Sequence, residues 1–255
     1  MLVARGYAKL LRQDMTEPEA EKSRGMTSMR FWFVRHPFEW YKRHPDMIDW
    51  RKQYSEKSKK WRAIRKSDKV IYYSHETPKG IVGLFEVTSN CDETIIKGVG
   101  ASLYYRIDPL FLPNGGQKPR TFSAKNDVGL SLKPMGTVFE LKPEQYRKIK
   151  SFLLDMDEPM NHEGVVTLFS KIHTYLGYPR IKTIQTRYPD AVVIDSEGEE
   201  KRVEFEFDSD DFRKDMEKGK HDPKNCDVIV CWKDGWGHTH PKELEMIELQ
   251  SLYGS

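Results

Sequence analysis

Cysteine is scarce in this chain, and a long apolar run is lacking. Cys91, Cys226 and Cys231 form no Cys-x-x-Cys pair, so the sequence supports neither a zinc cluster nor a disulfide framework. No apolar run approaches the roughly 20 residues that a membrane span requires. The start of the chain becomes charged too soon for the apolar core of a secretion signal. These absences predict a cytoplasmic protein with no membrane segment.

Charge, by contrast, is abundant and unevenly distributed. Charged residues make up 32% of the 255 residues. Residues 1–150 hold 29 of the 42 basic and 17 of the 39 acidic residues, a net charge of +12. Residues 151–255 hold 13 basic and 22 acidic residues, a net charge of −9. A basic half is typical of a surface that meets a polyanion, and an acidic half indicates another task. The alternative is a surface charge that is uneven but merely solvated.

Runs rich in β-branched and aromatic residues follow one another through the first half, separated by turn residues. Strands are predicted within 29–36, 69–75, 79–89, 98–112 and 136–141. The helix predicted after the last strand has Pro143 near its start, where proline is favoured. Several short strands with helices predict a small, partly closed β-barrel.

Helices and strands alternate in the second half. Apolar residues recur at helical spacing from Val165 to Leu176. Strands are then predicted at 190–194, 202–207 and 226–232, with a helix from about 209 to 218 before the last of them. The final strand is almost wholly apolar, as expected of a strand covered on both faces. This order predicts a mixed sheet flanked by helices.

Four acidic residues of the second half are candidates for a catalytic site. The alternating run Val203–Phe207 places Glu204 and Glu206 on one face of its strand. Asp190 begins the preceding antiparallel strand, and so three carboxylates converge. Such crowding calls for a hard, oxygen-seeking cation, Mg²⁺ or Mn²⁺, which would activate water and offset charge on a phosphodiester. Glu163, in the preceding helix, would add a fourth carboxylate. The alternative is an ordinary hairpin with glutamates on its solvent face.

The order of helix Glu, Pro-Asp, hairpin and Glu-x-Glu over residues 155–235 resembles the PD-(D/E)XK nuclease superfamily, which includes many restriction enzymes. The resemblance implies a restriction-endonuclease-like α/β core, with Glu163 as the helix acid and with Asp190 and Glu204 as metal ligands. Glu206 stands where the superfamily usually has lysine. A minority of restriction nucleases have Glu at that position and remain active.

Three basic residues come soon after the Glu-x-Glu strand, in the next predicted helix and loop, and are candidates for the role of the missing lysine. On spacing, they are Lys218, Lys220 and His221. His221 is also a candidate for proton transfer near the metal. Its alternative role is to cap a loop.

Aromatic and basic residues are interleaved in the first half. Residues 42–69 carry 11 Lys/Arg against 4 Asp/Glu, together with Trp50, Tyr54 and Trp61. Cations for phosphate and rings for bases are typical of a nucleic-acid surface. The alternative is a solvated loop whose tryptophans pack onto the barrel.

The layout of residues 29–152, from "RFWFVRHP" to "YYRIDPLFL" and beyond, resembles PUA-like domains, especially the EVE group and its YTH-type relatives. The resemblance implies an aromatic pocket that holds a nucleobase, often a modified one, which is flipped out of a duplex. The matching positions are Trp32, Trp50, Tyr72, Tyr73 and Ser74. Because side chains alternate along a strand, only one of the two tyrosines is expected to face the pocket.

Together these patterns predict an α+β protein of two domains. An extension over 1–28 precedes a PUA-like, partly closed barrel over 29–152 and a PD-(D/E)XK-like α/β nuclease domain over 153–255. The predicted function is that of a modification-dependent DNA endonuclease. Its first domain would recognise a modified base, with methylation as the expected modification, and its second domain would cut the DNA with Mg²⁺ or Mn²⁺. Cutting both strands generally needs two active sites, which favours a homodimer. The alternatives are a non-catalytic reader, in which Glu206 marks lost activity, and an RNA-processing or DNA-repair nuclease.

Overall fold

The computed structural model describes four stretches of the chain, 29–51, 60–96, 100–130 and 138–253. The described residues form two compact units, a first over 29–156 and a second over 157–253. Each unit combines a β-sheet with helices, which confirms the α+β class and the presence of two units. The predicted extension over 1–28 lies outside the described residues.

The first unit is built on a seven-stranded sheet that curls into a half-barrel. Its strands are β1 (Phe31–Arg35), β2 (Met47–Arg51), β3 (Lys69–Ser74), β4 (Gly80–Val87), β5 (Asp92–Ile96), β6 (Gly100–Phe111) and β7 (Val138–Leu141). Its helices are α1 (Phe38–Arg43), α2 (Ala124–Val128) and α3 (Pro143–Leu154), with 3₁₀ turns at Trp61–Ala63 and Pro113–Gly116. The strand order is β2-β6-β4-β3-β1-β7, and β5 also pairs with β6. β1 and β3 are parallel, whereas the other pairs are antiparallel.

Helix α3 closes one side of this sheet with a single apolar face. Tyr146, Ile149 and Leu153 are buried at the spacing that places them on one side of a helix. The Tyr146 ring stacks on Phe31 of β1 with 4.3 Å between ring centroids. The helix therefore packs on the sheet at β1, next to the edge strand β7.

The second unit is a five-stranded mixed sheet with helices. Its helices are α4 (His162–Ile172), α5 (Ser209–Glu217) and α6 (Leu249–Tyr253), with 3₁₀ turns at Pro223–Asn225 and Gly237–Thr239. Its strands are β8 (Arg180–Ile184), β9 (Ala191–Ile194), β10 (Glu200–Asp208), β11 (Val228–Lys233) and β12 (Glu245–Glu248). The order is β12-β11-β10-β9-β8. β8, β9 and β10 are antiparallel neighbours, and β10, β11 and β12 are parallel.

Side-chain caps and apolar faces explain the helices of this unit. The Asn161 side chain accepts a hydrogen bond from Gly164 N–H at 2.9 Å and so caps the start of α4. Asp208 caps α5 in the same way through Asp210 N–H at 3.1 Å. Phe169 of α4 packs edge-on against Phe205 of β10, 5.1 Å between centroids. Among the described residues, no helix has both the length and the apolar character needed to cross a membrane.

A buried carboxylate ties the start of β1 to the start of β3. Asp68 is 4% exposed and accepts three hydrogen bonds: from Trp32 Nε1 at 2.7 Å, from Arg65 N–H at 2.9 Å and from Arg30 N–H at 3.1 Å. Removing such an acceptor leaves buried donors without a partner. Asp68 is therefore a structural residue of the first unit.

Asp68→Ala is expected to destabilise the protein by about 3 kcal/mol or more, because the cost of each unpaired buried donor is about 1–3 kcal/mol. Asp46→Ala is the matched control, since Asp46 pairs with Arg106 on the exposed surface, where an ion pair contributes about 1 kcal/mol or less. Urea unfolding of both variants measures the difference. Equal losses in the two variants would contradict the structural role of Asp68.

Candidate functional site

Two glutamates and a histidine come together on the second unit. Glu204 and Glu206 lie on one face of β10, and His221 follows α5 in the chain. Their ligand atoms, one carboxylate oxygen from each glutamate and one imidazole nitrogen, all lie within 4.8 Å of one another. We call these three residues the Glu–Glu–His group. Its atoms are close enough to share one metal ion.

Asp190 is fixed beside Glu204 by backbone hydrogen bonds. Its N–H donates to Glu204 Oε2 at 3.0 Å, and its own Oδ2 accepts from Phe205 N–H at 3.1 Å. These bonds continue the antiparallel pairing of β9 and β10 beyond the Ala191–Val203 pair. The structure thus brings Asp190 and Glu204 together at the end of one hairpin.

His162, at the start of α4, is a contact that the sequence did not reveal. Its Nε2 lies 3.0 Å from Asp190 Oδ2, whereas the neighbouring Glu163 is exposed. Within the described part of the chain, neither the Glu163 carboxylate nor the Asp190 carboxylate is among the grouped ligand atoms. The catalytic role of Glu163 stays a prediction. The proximity of His162 to Glu163 in sequence is the only signal that could have pointed to it.

The candidates for the missing lysine separate in the structure. Lys218 and Lys220 reach Asp215, with Nζ–Oδ1 distances of 3.7 Å and 3.0 Å. Of the three candidates, His221 is the one whose side chain lies close to Glu204 and Glu206, with Nδ1 3.9 Å from Glu204 Oε1. Spacing alone made the three equal, and tertiary packing distinguishes them.

The His221 ring is held in place by aromatic neighbours. It stacks on Tyr188 with 4.3 Å between centroids and an interplanar angle of 9°, and it lies 5.5 Å from the Phe212 ring. Nδ1 is buried and has no hydrogen-bond partner among the described residues. The side chain is therefore oriented by packing rather than by hydrogen bonding at this nitrogen.

The electrostatics of the group are unfavourable without a cation. Burial, and then repulsion from the Asp190 carboxylate, raises the pKa of Glu204 from its ordinary 4.5 to about 8. Burial, and then repulsion from Glu204 and Asp211, raises the pKa of Glu206 to about 8 as well. A divalent cation would favour the ionised form of both carboxylates and lower both pKa values.

A second acidic group, in the turn between β9 and β10, differs in its partners. Asp195, Glu197 and Glu199 also offer ligand atoms within 4.8 Å of one another. Lys201 Nζ, however, lies 3.6 Å from Asp195 Oδ2 and 3.0 Å from Glu199 Oε2. Asp195 Oδ1 accepts the backbone N–H of Glu197 and Glu199. Lys201 therefore offsets part of the charge of this group.

The five predicted base-binding residues lie in or beside the curled sheet of the first unit. Trp32 is 1% exposed and bonded to Asp68. Tyr72 and Ser74 are also buried, and their hydroxyls donate to Pro37 O at 3.3 Å and Glu76 O at 3.0 Å.

The last two of the five, Tyr73 and Trp50, differ from these three. Tyr73 is half-buried, and its ring lies 5.4 Å from Phe33. The backbone of Trp50 belongs to β2, and its side chain lies outside the described residues. Among the described rings of the five, Tyr73 alone is partly exposed, as the alternation of Tyr72 and Tyr73 predicts. All five base-binding roles stay predictions.

Fold and site together define an α+β protein of two units with a Glu–Glu–His group on its second sheet. No protein-family model matches the chain, and no curated protein matches it. An X-ray structure of a Pseudomonas putida protein is 14% identical to this chain and has a TM-score of 0.33. The match covers 48% of this chain and 98% of the Pseudomonas putida chain. An NMR structure of a Rhodopseudomonas palustris protein is 20% identical to this chain and has a TM-score of 0.24. The match covers 32% of this chain and 62% of the Rhodopseudomonas palustris chain. At such TM-scores neither similarity informs fold or function.

Glu206→Gln is expected to stabilise the metal-free protein at about pH 8 and to change little at about pH 5. The folded state keeps a proton on Glu206 that the unfolded chain releases above about pH 4.5, so the wild type loses stability between about pH 4.5 and pH 8. Glutamine removes this loss, worth about 1–3 kcal/mol at pH 8. Urea unfolding across this pH range with a chelator present measures it.

The matched control is Glu243→Gln, because Glu243 is an exposed glutamate of the same unit. Its unfolding free energy is expected to follow the wild-type pH profile. Parallel profiles for all three proteins would show that Glu206 is not destabilised by its surroundings.

Proposed function

We propose that the protein is a metal-dependent DNA endonuclease whose first unit recognises a modified base, methylated in the expected case, and whose second unit hydrolyses a phosphodiester bond. The observation that carries the proposal is the convergence of Glu204, Glu206 and Asp190, with raised glutamate pKa values, at the end of one hairpin. Buried carboxylates that repel one another are costly to the fold. Their retention is explained if they hold a cation.

The donor set suits a divalent metal. Carboxylate oxygens are the ligands that Mg²⁺ and Mn²⁺ prefer. Glu204 and Asp190 would hold the ion, and Glu206 would lie beside it with His221. The ion would supply Lewis acidity for water activation and for charge on the phosphodiester.

The residues around the donor set would position it. Phe205 N–H and His162 orient the Asp190 carboxylate through Oδ2, and Asp190 N–H orients the Glu204 carboxylate. Tyr188 covers one face of His221. Fixed ligands of this kind reduce the reorganisation that the reaction would need.

The order of elements also supports the nuclease-like reading of this unit. Helix α4, the edge strand β8, the antiparallel β9–β10 hairpin, helix α5 and the parallel strand β11 follow one another. This is the order in which the PD-(D/E)XK resemblance places its helix acid, Pro-Asp and Glu-x-Glu segments. We therefore propose a restriction-endonuclease-like α/β core for the second unit.

The proposed role of the first unit rests on charge and on the PUA-like resemblance. Residues 1–150 carry a net charge of +12, which suits binding to phosphates with release of counterions. Among the described candidate rings, Tyr73 is half-buried, and Trp50 is included on the resemblance alone. A pocket that includes them would stack a flipped base.

Glu204→Gln is expected to lower cleavage of a modified duplex by about 10²–10³-fold, because a lost metal ligand removes several kcal/mol of transition-state stabilisation. Glu243→Gln, the exposed control, is expected to cut at the wild-type rate. The assay compares methylated, hydroxymethylated and plain duplexes of one sequence, and an RNA, with Mg²⁺, Mn²⁺ or a chelator. DNA binding measured separately is expected to persist in both variants.

Each outcome of that assay separates one function from another. Wild-type cutting by Glu204→Gln would contradict hydrolysis at this site. Binding of modified DNA without cleavage under any condition would identify a non-catalytic reader. Cleavage of RNA alone would identify an RNA-processing enzyme.

Trp50→Ala is expected to lower affinity for the preferred modified duplex by about tenfold or more, since a base stacked on a ring contributes about 1–3 kcal/mol. Affinity for the plain duplex, which depends on phosphate contacts, is expected to change little. Titration of both duplexes with the folded variant checks this. An equal loss on both duplexes would make Trp50 a general contact rather than part of a base pocket.

A further inference from the structure

We propose that His221 binds the metal directly through Nδ1, so that the site takes a first-row transition cation of the Mn²⁺ type through two carboxylates and one imidazole. The ligands inferred here are Glu204, Glu206 and His221, in place of the Asp190–Glu204 pair that the resemblance implies, because Asp190 lies outside this group of ligand atoms. This inference rests on the proposed function for the presence of a metal and adds to it the class of the ion and a ligand that the nuclease resemblance does not include.

The distances fit one shared ion. His221 Nδ1 and Glu204 Oε1 are 3.9 Å apart, which is too long for a hydrogen bond. Ligand atoms that share a cation at about 2.1 Å each lie about 3–4 Å apart. The whole group spans at most 4.8 Å, so a small movement of the Glu206 side chain towards Glu204 and His221 would complete the coordination.

The unsatisfied nitrogen is an independent sign of a ligand. Nδ1 of His221 is buried and has no hydrogen-bond partner among the described residues. A buried polar atom without a partner costs free energy and calls for an explanation, such as a bound ion. Glu204, the residue that this nitrogen faces, has a side chain only 7% exposed. A cation between them would satisfy both groups.

The imidazole is preorganised for this role. Tyr188 and Phe212 pack against the ring, and the Tyr188 hydroxyl donates to Asp222 O at 2.5 Å, next to His221 in the chain. The ring therefore has little freedom to turn its Nδ1 away from Glu204. A rigid ligand loses little entropy when it binds a metal.

The second acidic group differs in having a lysine close to it, although Asp195 Oδ2, like His221 Nδ1, is buried without a hydrogen-bond partner among the described residues. Lys201 provides the cation for Asp195 and Glu199. Around the Glu–Glu–His group, by contrast, Lys218 and Lys220 pair with Asp215. Among the described residues, His221 is the one basic side chain recorded as pairing with Glu204, and no lysine or arginine is recorded as pairing with Glu204 or Glu206.

The mixed donor set determines the class of ion. Mg²⁺ prefers an all-oxygen site and retains its waters, whereas nitrogen from imidazole strengthens the binding of first-row transition ions. Mn²⁺ accepts carboxylates as readily as Mg²⁺ does. We therefore expect the site to prefer Mn²⁺ over Mg²⁺, and the preference to depend on His221.

The test is metal binding by the full chain, observed by electron paramagnetic resonance with Mn²⁺ as the probe. Loss of the free-ion signal gives the affinity, and pulsed measurements detect coupling of bound Mn²⁺ to a ¹⁴N nucleus. The wild type is expected to show that coupling. His221→Phe, which keeps a ring between Tyr188 and Phe212, is expected to lose it and to bind Mn²⁺ about tenfold or more weakly. The affinity for Mg²⁺, measured by its competition with bound Mn²⁺, is expected to fall less in His221→Phe than the affinity for Mn²⁺ does.

Glu197→Gln is the matched control, because it removes a carboxylate from the second acidic group and leaves the Glu–Glu–His group intact. Its ¹⁴N coupling and affinity are expected to equal those of the wild type. Wild-type Mn²⁺ without ¹⁴N coupling, coupling that survives in His221→Phe, or absence of Mn²⁺ binding would each overturn the inference. The first of these results needs no variant, so a folding defect of His221→Phe leaves the test intact.

The result also separates this inference from the proposed function. Histidine-coordinated Mn²⁺ in a protein that cuts no nucleic acid would support the site and contradict the nuclease. Cleavage with Mg²⁺ and bound Mn²⁺ that lacks nitrogen coupling would support the nuclease and contradict the role of His221.

Discussion

The pairing of Asp190 with the Glu204–Phe205 segment is the constraint on which the site depends. Two hydrogen bonds of about 3 Å form this pairing. The Glu204 carboxylate accepts from Asp190 N–H, and the Asp190 carboxylate accepts from Phe205 N–H. The carboxylates are therefore part of the β9–β10 ladder and cannot swing into solvent without breaking it. Repulsion that a flexible surface would relieve is instead retained in the fold.

Retained repulsion has a thermodynamic consequence. Burial together with like charge raises the pKa of Glu204 and Glu206 to about 8, so the metal-free fold is under strain at neutral pH. Local conflicts of this kind are typical of functional sites, where stability is given up for preorganised chemistry. The Asp195 group, in the turn of the same hairpin, differs in that Lys201 lies 3.6 Å from Asp195 Oδ2.

The first unit uses most of its aromatic residues for packing. Trp32 donates to the buried Asp68, and Tyr105, also buried, donates to Trp61 O at 2.8 Å. Aromatic rings in a small curled sheet fill a large volume, and their polar atoms need partners when buried. Interleaved aromatic and basic residues in the sequence therefore combine two tasks, a core and a charged surface, which the residue pattern alone does not separate.

The sequence by itself determined the local features of the second unit. Two-residue alternation placed Glu204 and Glu206 on one face, the tight turn brought Asp190 alongside, and helical spacing located α4. Only the tertiary structure selected His221 over Lys218 and Lys220, revealed His162, and added the edge strands β8 and β12. β8 is largely exposed and β12 has only four residues, so neither shows a clear apolar period. Contacts between distant segments depend on how helices pack on the sheet, which no local pattern of residues records.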